Sequence, residues 1–66
     1  MSLQWNDVLD IAIELAESMP RIDPRYVNFV DLQRWVLALP DFSDGPQRGG
    51  EKVLEAIQAA WIDELD

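Results

Sequence analysis

The last sixteen residues constrain this chain more than any other stretch, because Leu54, Ile57, Trp61 and Leu65 recur there at offsets of three, four and four. That spacing puts the four side chains on one flank of a helix, with Val53 and Ala60 beside them. A continuous apolar flank is expected to be the keystone of a helical core. The other flank is acidic. Glu51 and Glu55 suit the positive end of the helix dipole, whereas Asp63, Glu64, Asp66 and the terminal carboxylate crowd its negative end and work against helix stability. Such an end is either a solvated surface or one kept for something cationic.

Sixty-six residues allow one domain, residues 1–66, of a size that buries only about 60% of the surface its unfolded chain exposes. An elaborate active site does not fit. Thirteen acidic residues against five basic ones, with no histidine, give a net charge of −8. Phosphate backbones and anionic membrane surfaces are repelled by that balance, and cationic partners are favoured. The absence of cysteine excludes disulfides, zinc–thiolate sites, nucleophilic thiols and clusters held by thiolates. The start, Met-Ser-Leu-Gln-Trp, has neither a basic region followed by an apolar run nor a membrane-length apolar span, so the expected location is cytoplasmic.

Upstream, Val8, Ile11, Ala12, Leu15 and Met19 predict a helix over residues 7–19, capped by Asn6 or Asp7 and stopped by Pro20. Leu9, Ile13 and Ala16 widen its apolar surface, as suits a helix wedged between two others. Trp5 is placed to fold back on the helix as a hydrophobic staple near Leu9, or simply to close the core. Pro24 pushes Asp23 out of the helical region and marks a turn. Residues 26–30 read as a short strand or extended connector whose one candidate partner is the stretch around Asp41, Phe42 and Ser43. A second helix is expected over residues 31–39, with Asp31 as N-cap, Leu32, Trp35, Val36 and Leu39 inward, Arg34 in water and Pro40 after it. Residues 41–50 hold three glycines and a proline and read as the longest loop, anchored by Phe42, with Gly49 or Gly50 capping the last helix. The fold class is therefore mainly α, three helices with at most a short two-stranded β element.

Chemistry narrows the function. Without His or Cys, the serines, Tyr26, Lys52 and the carboxylates form no nucleophile–base arrangement, so no enzyme is expected. The glycine pair before the last helix lacks the spacing of a phosphate-binding loop. A helix–turn–helix order invites DNA binding, but the last helix offers only Lys52 and the net charge opposes it. Oxygen ligands alone permit weak binding of hard cations, iron included, at Asp63, Glu64 and Asp66 or along Asp7, Asp10 and Glu14. The alternative is an acidic surface that keeps a small domain in solution.

The pattern Leu3-x-Trp5-x-Asp7, Asp23-Pro24, Val27-x-Phe29-x-Asp31, Trp35, Asp41-Phe42, Pro46-Gln47 and Glu51-Lys52-x-Leu54-Glu55-Ala56-Ile57-x-x-x-Trp61-x-Asp63-Glu64 resembles the IscX family of small acidic iron–sulfur cluster assembly proteins. The likeness spans essentially the whole chain. It implies a modified winged-helix fold and a monomeric accessory protein. Its acidic face would bind the cysteine desulfurase on a basic patch also used by frataxin and ferredoxin, regulating cluster formation. It also implies weak binding of Fe2+ or Fe3+ by exposed carboxylates, and as an alternative role an iron carrier or donor. No tightly held cofactor, nucleic acid or membrane is implied. Carried over by position, the partner-binding surface draws on Asp7, Asp31, Asp41, Glu51, Glu55, Asp63 and Glu64, and the iron ligands on Asp63, Glu64, Asp66, Asp7 and Asp10. Two departures stand out: residues 43–45 are poorer in aspartate than the family pattern, and Arg48-Gly49-Gly50 replaces small polar residues and asparagine. A metal site relying on that loop would be weaker here.

Overall fold

A computed structural model describes residues 2–65. Helix α1 (Val8–Ser18) leads through a 3₁₀ turn (Pro24–Tyr26) into α2 (Phe29–Leu37), and a second 3₁₀ turn (Pro46–Arg48) precedes α3 (Glu51–Leu65). The protein is mainly helical. Among the described residues the single piece of extended pairing is a parallel bridge between Leu3 and Phe42.

The periodic flank of α3 is the keystone. Leu54, Ile57 and Trp61 are buried against Ile11, Ala12 and Leu15 of α1 and Leu32 and Val36 of α2. The contact of α3 with α1 is the broadest between helices. Leu65 lies a turn beyond Trp61 and is 50% exposed, so the apolar flank stops contributing before the helix ends.

Helix α1 is not wedged on two sides. Leu9 is 68% and Ile13 39% exposed, because both lie well round the helix from Ile11 and Leu15 and no element covers that flank. Trp5 is buried in the core cluster, to which the exposed Leu9 does not belong; Trp5 closes the core. Asp7 occupies the N-cap position but its carboxylate makes no bond to the helix.

Helix α2 begins two residues before the expected start. Asn28, not Asp31, is the N-cap: its Oδ1 accepts the Asp31 N–H at 2.8 Å while its Nδ2 donates to Asp31 Oδ2 at 3.2 Å. The first bond satisfies one helix-end donor, and the second, between side chains, fixes the cap in place. The helix also ends early, at Leu37, where the Ala38 N–H still reaches the Arg34 carbonyl at 3.1 Å.

Residues 26–30 form no strand. Asp23 accepts the Arg25 N–H and opens a 3₁₀ turn, and Gln58 of α3 donates to the carbonyls of Pro24 at 2.7 Å and Val27 at 3.3 Å. Tyr26 closes that turn, Val27 and Asn28 are a two-residue connector, and Phe29 and Val30 already belong to α2. The stretch at Asp41, Phe42 and Ser43 pairs with Leu3 instead: the Leu3 N–H donates to the Asp41 carbonyl at 2.6 Å, and the Ser43 N–H to the Leu3 carbonyl at 3.0 Å.

The loop following this bridge is clamped by Trp5. Its Nε1–H donates to the Gly45 carbonyl at 2.7 Å, its backbone N–H to Asp44 Oδ2 at 3.2 Å, and its ring meets Phe42 edge-on at 4.8 Å. The ring passes so close to Gly49 that a Cβ there would lie 2.5 Å from it. Only glycine allows that approach.

Candidate functional site

Clamping the loop sets Asp41 beside α1. Asp10, Glu14 and Asp41, together with Leu3 and Ile13, line an open depression of about 320 Å³. Each contribution has a local cause. Asp10 and Glu14 are one turn apart and so share a face of α1, Asp41 is brought up by the backbone bridge to Leu3, and the bridged Leu3 supplies an apolar wall. Ile13 supplies the other, because it sits off the core stripe of its helix.

The carboxylates here are uncompensated. Among the described residues, cations lie within 4 Å of carboxylates in two places only: Arg25 at 3.1 Å from Asp23, and Arg48 at 3.9 Å from Asp44. Neither is in the depression. Like charges one helical turn apart destabilise by a few tenths of a kcal/mol, so Asp10 and Glu14 carry a small standing cost that a cation at this surface would relieve.

The other sequence-derived residues are scattered. Asp7 turns its carboxylate back to accept the Gln4 N–H at 2.9 Å, away from the Asp10 row, and Asp31 is held by Asn28. Glu51 and Glu55 are exposed one turn apart at the start of α3. Asp63 and Glu64 are exposed at its end, but neighbours on a helix are rotated by about 100° and do not share a face. Asp66 lies outside the described residues. Among the described residues no three acidic side chains gather closely enough to hold a metal ion. Sequence reasoning placed Asp41 near the acidic surface and Asp10 and Glu14 on one face, but missed Leu3 and Ile13 as the apolar part of the same surface. For Ile13 a signal existed, since its helical position lies off the stripe of Ile11 and Leu15.

The Arg25 side chain, then its backbone N–H, bonds to Asp23 and holds that carboxyl below its usual range.

Among the described residues no helix is long and apolar enough to cross a membrane. The profile described as iron–sulphur cluster assembly matches residues 3–66. A curated protein of Pseudomonas aeruginosa, named only as an uncharacterized protein, is 76% identical over 66 residues, which is all of both chains. Three short helices, the near absence of strand and a match along the whole sequence lead to one assignment: this chain belongs to the IscX family, an accessory family of iron–sulphur cluster assembly.

Proposed function

We propose that this protein acts in the cytoplasm as a monomeric adaptor that docks its acidic face on a basic patch of the cysteine desulfurase and so regulates cluster formation. The observation that carries this reading is the depression of Asp10, Glu14 and Asp41 between Leu3 and Ile13. Its carboxylates have no cation of their own, and its apolar walls lower the local dielectric around any arginine or lysine that enters. The net charge of −8 steers a basic partner toward the molecule, making association fast and salt-sensitive. Glu51 and Glu55, with Asp63 and Glu64, extend the negative field along α3, so they act more on the association rate than on the contact. Occupying a patch that frataxin and ferredoxin also use is regulation by competition.

The carrier alternative requires carboxylates that converge on iron, and the scattered placement along α3 and of Asp7 favours the adaptor. Exposed carboxylates also discriminate poorly among hard cations. Calorimetric titration of the desulfurase in metal-free buffer, at low and at high salt, tests the proposal. Asp10→Lys with Asp41→Lys is expected to weaken binding by tenfold or more, about 1.4 kcal/mol, and Asp63→Lys with Glu64→Lys by less. Unchanged affinity for the first pair overturns this face as the dock. Iron retained against excess Mg2+ would restore the carrier.

A further inference from the structure

The outward face of α2 differs from the rest of the surface. Val30, Arg34 and Leu37 follow one another at four and three residues, so they form a single row along the helix, and Tyr26 stands just ahead in the 3₁₀ turn. All four are exposed, Tyr26 by 85%, Val30 by 69% and Leu37 by 37%. The inward face carries the fully buried Leu32 and Val36. Helix α2 thus carries apolar side chains outward as well as inward, with Arg34 between the outward two.

Nothing within the fold accounts for this row. Val30 reaches no core, and a β-branched residue on an exposed helix position lowers helix propensity. Arg34 has no carboxylate within 4 Å among the described residues, although Asp31 is one turn away, because Asn28 holds the Asp31 carboxylate. The neighbourhood also departs from the chain's overall charge. Between residues 21 and 34 three arginines face two aspartates, in a protein of net charge −8. Tyrosine and arginine are the residue types that anchor interfaces most often.

We infer that Tyr26, Val30, Arg34 and Leu37 form a second docking surface, for an acidic protein segment that presents apolar side chains between its carboxylates. Charge selects the occupant. Arg34 pairs with a carboxylate at contact, while the remote acidic residues of this chain are screened over roughly 10 Å at ordinary salt. A nucleic acid extends its charge far past the contact and meets the net repulsion. A second copy offering its acidic α1 surface would make a head-to-tail contact, which builds rings or filaments and not a symmetric pair. With this row on α2 and the depression lined from α1, the chain carries one surface for an acidic partner and one for a basic partner. The inference stands whether or not the desulfurase is the basic one.

The test is an NMR titration of the labelled full chain with two synthetic peptides of identical apolar spacing, one with Glu and one with Lys at every polar position. The Glu peptide is expected to shift the amides of residues 26–37 and leave those of residues 10–14 in place. Arg34→Glu and Tyr26→Ala should each weaken it by roughly tenfold, with the thermal midpoint unmoved because both side chains are exposed. Equal shifts of residues 26–37 by the Lys peptide overturn the proposal, as does unchanged binding in Arg34→Glu. A concentration-dependent dimer abolished by Val30→Asp, or a duplex oligonucleotide shifting the same amides, overturns it in favour of those occupants.

Discussion

Trp5 meets Phe42 with ring centroids 4.8 Å apart and planes at 71°, and Trp61 meets Trp35 at 6.4 Å and 80°; the two aromatic pairs share an edge-to-face geometry and differ in what surrounds them. Trp61 is fully buried at the centre of the three helices, and its Nε1–H has no hydrogen-bond partner among the described residues. It is held by packing alone. Trp5 lies at the edge, where its Nε1–H is bonded to Gly45 and its ring fills the place of a side chain at Gly49. The Trp61–Trp35 pair joins helices; the Trp5–Phe42 pair fastens a loop, and with it Asp41, to the start of α1. Stability and site therefore depend on different tryptophans.

Truncating each in turn should separate these roles. Trp61→Ala removes the centre of the core and is expected to cost about 3–5 kcal/mol, a large share of the roughly 5–15 kcal/mol that stabilises a small domain. Urea unfolding followed by far-UV circular dichroism should show the midpoint collapse. A mild loss would mean that the helices are held mainly elsewhere. Gly49→Ala drives a methyl into the Trp5 ring and should cost about 1–3 kcal/mol. Gly50→Ala, with open space around its Cβ position, should change stability by no more than about 0.5 kcal/mol. If the two glycines behave alike, the clamp is not where the loop is fastened.

Trp5→Phe keeps an aromatic ring but loses the bond to Gly45, an expected loss of about 1 kcal/mol. The sharper readout is functional: desulfurase binding should weaken in this variant by more than its small stability loss explains, since Asp41 is no longer held beside Asp10 and Glu14. Equal affinity in a folded Trp5→Phe would uncouple the clamp from the site. The smallest effect belongs to the Trp61 side, where Asp23 caps the turn that Gln58 of α3 grips. Its carboxyl is held below the ordinary range by Arg25. A depressed folded-state pKa contributes stability above the unfolded value, lost as pH falls through the folded one. The gap in urea midpoint between wild type and Asp23→Asn should be small at neutral pH and vanish in acid. A gap that widened in acid would reverse the sign of this contribution.

The helices were legible in the sequence because their signals are local. Offsets of three and four placed Leu54, Ile57 and Trp61 on one flank, Pro20 and Pro40 marked where helices stop, and the glycines of residues 41–50 marked the loop. Boundaries shifted where two local signals competed: Asn28 and Asp31 are both good caps three residues apart, and the structure uses them as a pair with Asn28 outside. The candidate site was half legible. The spacing of Asp10 and Glu14 follows from helix geometry, and the acidic balance from a count.

What the sequence determined alone is thus a three-helix chain of strongly acidic balance without thiol or imidazole chemistry, since each of those properties follows from residue type or near-neighbour spacing. What only the tertiary structure decided is who meets whom across the chain. Phe42 pairs with Leu3 and not with residues 26–30, Leu9 and Ile13 remain in solvent, and Asp41 joins Asp10 and Glu14. Those outcomes depend on a bridge and a tryptophan clamp between residues 39 and 40 positions apart. Contacts of that range leave no period in a sequence; they exist only after α3 has gathered the core and brought the loop against the start of the chain.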